Sequence, residues 1–238
     1  MPGLLSFGLN ILADVFYPKY CFGCQKPGGY LCKFCITQIP GTALCFCVVC
    51  NKPSPNGFTH VTCATPLTPD RLLSAFVYQN KIVADMIITG KYYFVPEVFA
   101  VLGALAVDQL FFSQSYEELA KLSDFVICAV PLHSRRLRWR GFNQSEVAGK
   151  IIAQGLKLPF FPILKRIKNT QTQKDLNAEG RKTNLQNAFT TNPKFTVIPK
   201  KVLLIDDVST TGQTFLEAAR ALKQAGVKTV WCISIAKD

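Results

Sequence analysis

The feature that most constrains the fold is an apolar run, Val-Leu-Leu-Ile at residues 202–205, that ends in two adjacent acids, Asp206 and Asp207. A short continuous apolar run is typical of a strand buried on both faces of a parallel sheet. Residues 213–224 follow with the pattern of a helix. The segment therefore predicts a strand, a loop and a helix, as in α/β folds.

The loop between this strand and helix combines three hydroxyl groups with a glycine. Free backbone amides and the dipole at the start of a helix favour an anion there. Acids that can hold vicinal hydroxyls beside a phosphate cradle suit a ribose 5-phosphate. The candidate ligand-binding residues are Asp206, Asp207, Val208, Ser209, Thr210, Thr211, Gly212 and Thr214, and the two acids are also the candidate catalytic residues.

Two other interpretations of this segment are open. Strand-to-helix turns commonly carry Asp, Ser, Thr and Gly as caps and turn formers. The Walker B strand of a nucleoside triphosphatase also ends in acids, but its partner sequence, G-x-x-x-x-G-K-[ST], does not occur in the chain. Residues 202–214 most closely resemble the phosphoribosyl diphosphate (PRPP) motif of type I phosphoribosyltransferases.

Strands and helices alternate through the segment from residue 67 to residue 238, which we expect to form one domain. Residues 72–78, 124–131 and 227–235 are strand-like, and residues 81–88 and 98–112 have helical patterns. This alternation predicts an α/β domain with a mainly parallel sheet flanked by helices.

Eight of the ten cysteines lie between residues 21 and 63. Clustered C-x-x-C pairs favour structural zinc in a reducing compartment over a secreted disulfide framework. The first candidate ligand set is Cys21, Cys24, Cys32 and Cys35, and the second is Cys47, Cys50, His60 and Cys63, with Cys45 as the alternative to His60. We expect a zinc-ribbon module at residues 17–66 that chelation unfolds, while the phosphate site stays formed.

The chain is basic, with 27 Lys and Arg against 15 Asp and Glu and a formal net charge of +12. Such a charge favours polyanions, either phosphorylated small molecules or nucleic acid. The apolar N-terminal segment carries Asp14 and no basic residue before it, which fits neither a signal peptide nor a membrane span. We expect a helix at residues 1–16, no transmembrane segment and a cytoplasmic location.

Four arginines lie in the loop predicted after the strand at residues 124–131. Ligands bind at the carboxyl ends of strands in an open α/β sheet, so this loop and the Asp206 loop should face one crevice. Guanidinium groups suit a diphosphate. Trp139 and Phe142 interleave with the arginines, which also suits single-stranded nucleic acid, and a solvated basic face is the third alternative. The candidates for these roles or for a flap over the ligand are Arg138, Arg140, Asn143, Gln144, Arg166, Lys168, Thr170, Gln173 and Arg181.

Five ordered motifs, together with the cysteine module, resemble the ComF family. They are Val130-Pro131-Leu132, Arg140-Gly141-Phe142-Asn143-Gln144, Thr170-x2-Gln173-x2-Leu176, Arg181-x2-Asn184-x3-Ala188-Phe189 and the Asp206-Asp207 segment. The resemblance implies a type I phosphoribosyltransferase fold with an N-terminal zinc ribbon and, for some members, a role in importing single-stranded DNA during natural transformation. It further implies that residues 165–188 form a mobile flap and that the loop at residues 131–136 binds diphosphate, through Leu132, His133, Arg135 and Arg136.

Two functions are predicted. As an enzyme, the protein would bind PRPP with Mg²⁺ and transfer its phosphoribosyl group to an acceptor that the residues do not define. As a non-catalytic protein, it would keep PRPP or a nucleotide as a ligand and bind single-stranded DNA. A protein of the competence machinery at the inner face of the membrane is a further candidate partner.

Overall fold

The computed structural model describes residues 18–40, 44–112, 122–169 and 185–238, without the side chains of residues 111 and 112. The chain divides into two compact units, Met1–Pro40 and Gly41–Asp238. The two cysteine clusters therefore fall in different units, whereas the cysteine spacing predicts one module at residues 17–66. The helix predicted at residues 1–16 lies outside the described residues.

The described part of the first unit has little regular structure. Residues 18–40 contain one four-residue helix, α1 (Lys33–Ile36), and a series of hydrogen-bonded turns. The buried apolar side chains in this range are Cys21, Cys35 and Ile39. A core of this size cannot by itself offset the conformational entropy of an ordered chain.

The second unit is built around one five-stranded sheet. Its elements are β1 (Leu44–Cys45), a 3-10 turn (Pro55–Gly57), β2 (Arg71–Val77), α2 (Lys81–Tyr92), α3 (Glu97–Val107), a π-helical turn (Asp108–Phe112), β3 (Phe125–Ala129), α4 (Ser134–Arg140), α5 (Gln144–Leu156), β4 (Leu164–Arg166), β5 (Phe189–Thr191), β6 (Lys201–Ser209), α6 (Gln213–Gln224) and β7 (Thr229–Lys237). None of the helices in the described ranges is long and apolar enough to cross a bilayer.

The strand order of the sheet is β1-β2-β7-β6-β3. Strands β2, β7, β6 and β3 are parallel, and the short edge strand β1 is antiparallel to β2. Strands β4 and β5 form a separate antiparallel pair. The predicted fold class, a mainly parallel sheet flanked by helices, is confirmed.

Strand β6 lies in the interior of the sheet, and its apolar run is buried as predicted. Its pairing with β3 ends at Ile205, opposite Ala129, while its pairing with β7 continues to Ser209. The two acids therefore follow the point where β3 separates from β6. A crevice at the carboxyl end of the sheet opens at such a point, and ligands of α/β proteins bind there.

The arginine-rich segment, predicted to be a loop, is the helix α4. The imidazole of His133 caps it by accepting a hydrogen bond from the Arg135 backbone N–H (3.3 Å). Gly141 ends it with a φ of 80°, a left-handed conformation that glycine adopts without steric cost. Because the segment is helical, its arginines point in different directions according to the helical repeat.

Candidate functional site

The two acids at the end of β6 are both buried and have different partners. Asp206 Oδ1 accepts hydrogen bonds from Ser145 Oγ (2.8 Å) and from the Asp207 backbone N–H (2.9 Å). Asp207 Oδ2 forms an ion pair with Lys91 Nζ at 2.5 Å. One acid is therefore held by neutral donors and the other by a cation.

These surroundings change the acidity of Asp206. Burial is the main cause that raises the pKa of Asp206 to about 7, and the Asp207 carboxylate adds to the shift. The hydrogen bonds from Ser145 and the Asp207 backbone, and the charge of Lys91, act in the opposite direction. A perturbed carboxyl in a crevice is typical of a functional site.

A small concave cavity follows the acids. It is lined by Asp206, Val208, Ser209, Thr210, Thr211, Gly212, Gln213, Thr214 and Phe215. The hydroxyl oxygens of Ser209 and Thr211 are buried and have no hydrogen-bond partner among the described residues. Gly212 caps α6 with a φ of 74°, which opens the helix N-terminus toward the cavity. The arrangement suits an anion with several acceptor oxygens.

Helix α4 separates the four arginines into two pairs. Arg136 and Arg140 are one turn apart; Arg140 is buried and Arg136 half-buried. Burial lowers the pKa of Arg140, Asp207 acts against that shift, and Arg136 acts with it. Arg135 and Arg138 are exposed. Arg140 is therefore within electrostatic range of Asp207, and Arg136 is within electrostatic range of Arg140.

A third guanidinium group lies on the two-stranded sheet formed by β4 and β5. Burial lowers the pKa of Arg166, on β4, to about 10; Arg136 acts in the same direction and Asp206 against it. Lys168 instead donates from Nζ to the carbonyl of Gln186 (2.6 Å) at an exposed position. Thr170, Gln173 and Arg181, with most of the predicted flap, lie outside the described residues.

Asn143 and Gln144 make contacts that hold the site together. Asn143 Nδ2 donates to the carbonyl of Val130 (3.0 Å), and its Oδ1 accepts from the Ser145 backbone N–H (3.2 Å). Gln144 Oε1 accepts from Arg140 Nη1 (2.7 Å). The two side chains therefore tie the start of α5 to the end of β3 and to α4. Leu132, at the start of this connection, is half-buried.

Lys91 and Ser145 contact the acids directly, although neither was predicted to be a site residue. Helix α2 continues to Tyr92, past residue 88, where the prediction ends it. Glycine at position 90 lets α2 pack closely on α3 here, because a Cβ at this position would lie 2.4 Å from the ring of Phe99. The glycine is a packing residue inside the helix, and the extra turn brings Lys91 to Asp207.

The first cysteine cluster fits a tetrahedral metal ion. Its four sulfur atoms lie within 4.8 Å of one another, and Cys24 Sγ and Cys32 Sγ are 3.8 Å apart. Zinc–sulfur bonds of about 2.3 Å in a tetrahedron place thiolates about 3.8 Å apart. Burial opposes ionisation of Cys21, but backbone N–H donors, including that of Cys32, outweigh it and lower its pKa to about 6.

The second cluster is Cys47, Cys50, His60 and Cys63, whose ligand atoms also lie within 4.8 Å of one another. His60 Nδ1 is 3.3 Å from Cys50 Sγ, and Nε2 lies 3.2 Å from the carbonyl of Pro53. A metal-binding imidazole commonly uses its second nitrogen in this way, which fixes the ring. Cys45 is instead part of strand β1, paired with Leu73. Each cluster could therefore bind zinc, the second through His60.

Paired acids at the end of a buried parallel strand, followed by a phosphate-sized loop and a helix, define a phosphoribosyltransferase-type domain. The family model described as phosphoribosyl transferase domain matches residues 143–238.

Relatives extend the similarity over most of the chain. Competence protein F of Haemophilus influenzae is 31% identical over 222 residues, covering 91% of this chain and 90% of the relative. DNA utilization protein YhgH of Salmonella typhi is 30% identical over 230 residues, covering 91% and 96%. Competence protein ComFC of Streptococcus pneumoniae is 32% identical over 139 residues, covering 57% and 58%. The chain belongs to the ComF family of competence proteins.

Proposed function

We propose that this protein binds PRPP with Mg²⁺ in the cavity at the end of β6. Asp206 and Asp207 would accept hydrogen bonds from the two ribose hydroxyls, and the backbone amides at the start of α6 would donate to the 5-phosphate. The observation that carries the proposal is the pair of buried hydroxyls, on Ser209 and Thr211, without partners among the described residues. Buried polar groups are costly unless hydrogen-bonded, and a phosphate would satisfy both.

The diphosphate of PRPP would lie against Arg136, Arg140 and Arg166. Arg136 lies within electrostatic range of both other guanidinium groups, and this proximity disfavours their charged forms. A multiply charged anion would offset that repulsion and use the planar donor groups of the arginines. Mg²⁺ would arrive with the diphosphate, and the carboxylates of Asp206 and Asp207 are hard oxygen ligands of the type it prefers.

The chemistry this site supports is transfer of the phosphoribosyl group. The bond between the ribose C1 and the diphosphate oxygen breaks, its electron pair leaves with the diphosphate, and an acceptor nucleophile forms the new bond to C1. Positive charge develops on the sugar as the diphosphate leaves, so catalysis rests on positioning and on the arginines that stabilise the leaving group. The proton that the acceptor loses passes to solvent.

The test is titration of the whole protein with Mg-PRPP by calorimetry, followed by assays of diphosphate release with candidate nucleobases. Binding with release supports an enzyme, and binding without release supports a protein that keeps PRPP as a ligand. Failure to bind PRPP at millimolar concentration would contradict the proposal.

Affinity for PRPP is expected to rise with pH between about 5 and 7 and then to level off. Asp206, whose pKa is raised to about 7, must lose its proton to accept hydrogen bonds with both oxygens. Because protons compete with the ligand only below that pKa, the affinity should increase by up to about tenfold per pH unit in this window. Calorimetry over this range measures it. The Asp206→Asn variant, which cannot titrate, should show only the dependence that the ligand's own phosphates contribute.

The names of the relatives, competence and DNA utilization proteins, support a role for this chain in DNA uptake during natural transformation. Within that role the protein would act in the cytoplasm, beside a competence-machinery protein at the inner face of the membrane. Single-stranded DNA is then a second candidate ligand, with or without catalysis at the PRPP site.

An exposed aromatic and basic surface favours this second ligand. Trp139, 58% exposed, contacts Phe94 edge to face at a centroid distance of 5.2 Å, and the neighbouring Tyr93 is 73% exposed. Arg135 and Arg138 lie on the exposed side of α4. Exposed rings beside guanidinium groups can stack on bases while the charges contact phosphates.

Replacing Arg135 and Arg138 with alanine is expected to weaken DNA binding and to reduce its dependence on salt. Each phosphate contact contributes a slope of about −0.7 in the plot of log affinity against log salt for single strands. Two lost contacts should therefore flatten the slope by about 1.4. Fluorescence anisotropy with labelled oligothymidine measures this. The exposed Lys81 on α2 supplies the control Lys81→Ala, and an unchanged slope in the double variant would exclude this surface.

A further inference from the structure

We infer that the second cysteine cluster is a structural part of the phosphate loop at residues 209–212, so that affinity for a phosphorylated ligand depends on the metal at that cluster and not on the metal at the first. This inference rests on the proposed function, because it concerns the same ligand. It differs from the expectation drawn from the sequence, in which chelation leaves the phosphate site formed.

Val48, between the cluster ligands Cys47 and Cys50, packs against Gly212. A Cβ on Gly212 would lie 2.6 Å from the carbonyl oxygen of Val48 and 3.2 Å from its Cγ2. Real Cβ atoms do not approach a backbone oxygen so closely. Residues 47–50 form the knuckle of the second cluster, and their backbone packs directly on the backbone of the phosphate loop. Glycine at position 212 permits this close contact.

Val48 is also part of the main hydrophobic core. It is fully buried in one cluster of side chains with Phe215 and Ala218, on the first two turns of α6. The knuckle therefore supports both the loop and the helix whose N-terminus faces the cavity. A displaced Val48 would leave a gap in the cluster that includes this helix.

The carbonyl group of Thr210 links the loop to the same region from a second side. It accepts a hydrogen bond from Lys237 Nζ (2.8 Å) and contacts Asn51 Nδ2 at 3.4 Å. The Lys237 ammonium lies 5.6 Å from the ring centroid of Phe46, the residue before Cys47. Residues on both sides of the knuckle therefore contact groups that hold the loop.

The metal would determine whether the knuckle keeps this shape. The Cys47 sulfur accepts from the His60 backbone N–H (3.5 Å), and the Asn51 N–H donates to the Cys47 carbonyl (2.9 Å). These bonds shape the turn around the ligands, but binding of structural metal in such turns is coupled to their folding. Loss of the ion would free Val48 and Asn51 from their positions against the loop.

The test compares two double variants that each leave two ligands in one cluster. His60→Ala with Cys63→Ser removes the second metal without touching the knuckle, and Cys24→Ser with Cys32→Ser removes the first. Elemental analysis establishes the loss of one ion in each, and calorimetry measures affinity for Mg-PRPP. We expect about tenfold or greater weakening in the first variant, because small displacements of ligand-binding groups are costly, and unchanged affinity in the second.

Amide hydrogen exchange separates a local effect from global unfolding. In the His60 and Cys63 variant, peptides covering residues 209–212 should exchange faster, while peptides from the centre of β6 stay protected. Equal affinity in both variants, or protected loop amides in the metal-depleted one, would overturn the inference. Failure of the unmodified protein to bind PRPP would instead contradict the proposed function, and the exchange result would still test the coupling.

A variant that keeps all metal ligands gives an independent test. Asn51→Gly removes the side chain near Thr210 and tolerates the φ of 59° at this position. Asn56→Gly is the matched control, because Asn56 has a similar φ of 52° and lies in the 3-10 turn of residues Pro55–Gly57. We expect a severalfold loss of PRPP affinity in the first variant only, and equal affinities would contradict a role for Asn51 in supporting the loop.

Discussion

Asparagine at both Asp206 and Asp207 is expected to lower the affinity for PRPP by about 100-fold or more and to abolish any diphosphate release. Each carboxylate would accept a hydrogen bond from a ribose hydroxyl, and bonds to charged groups contribute about 1.5–3 kcal/mol each. Two such losses exceed the 2.7 kcal/mol that corresponds to about 100-fold in affinity. Calorimetry and a diphosphate-release assay measure the two effects.

The fold should survive this change. Burial disfavours the charged form of Asp206, so a neutral amide of the same shape removes an unfavourable term. Lys91 loses its partner, but its side chain retains 20% exposure and can reach water. The matched control is Asp124→Asn, since Asp124 pairs with Lys201 (3.1 Å) at the opposite end of the same strands. Normal PRPP affinity in the Asp206 and Asp207 variant would show that the ligand binds elsewhere.

Removal of the first metal is expected to unfold residues 18–40 completely. Cys24→Ser with Cys32→Ser leaves two of the four ligands, and the only buried apolar side chain in the described range besides the cysteines is Ile39. Structural zinc contributes an apparent free energy of about 10–16 kcal/mol in small metal-dependent folds, far more than this core can replace. Hydrogen exchange with mass spectrometry should find unprotected amides throughout the segment.

The reference peptides for this experiment come from β6 and β7. Both strands are in the interior of the sheet, and their backbone groups pair with strands of the second unit. They should therefore exchange at the same rate in the variant and in the unmodified protein. Protection of residues 18–40 that persists after the ion is lost would show that the segment folds without metal.

The strand, loop and helix around Asp206 could be predicted from the sequence because each signal is local. An apolar run of four residues identifies the buried strand, and helical spacing from residue 213 identifies α6 to the residue, Gln213–Gln224. Cys128 and Cys232 are buried for the same local reason, since both lie within apolar strand segments, β3 and β7.

The partners of the acids could not be predicted, because they depend on packing between distant segments. Ser145 lies 61 positions before Asp206, and nothing local distinguishes it from an ordinary residue at the start of a helix. Lys91 reaches Asp207 only because α2 extends past Gly90. A glycine late in a helical pattern can mark the end of the helix or lie within it. The close contact of Gly90 with Phe99, which no local pattern shows, explains why the helix continues.

The different environments of the four arginines could not be predicted either, because their segment was predicted to be a loop and is a helix. As a loop, residues 134–140 offer four equivalent cations. As the helix α4, they bury Arg140 near Asp207, leave Arg136 half-buried and expose Arg135 and Arg138. The helix begins at the His133 cap and ends at Gly141. The spacing of the charged residues indicates neither of these ends.

Strand β1 has a consequence for the behaviour of this protein in solution. Its two residues pair with Ser74 and Leu73 and cover part of the outer edge of β2. An open edge of an apolar strand is a template for pairing with another molecule. Because β1 runs directly into the knuckle of the second cluster, a chain that loses this ion would expose the edge of β2. Zinc depletion would then lead to aggregation through intermolecular strand pairing, in addition to the loss of ligand affinity.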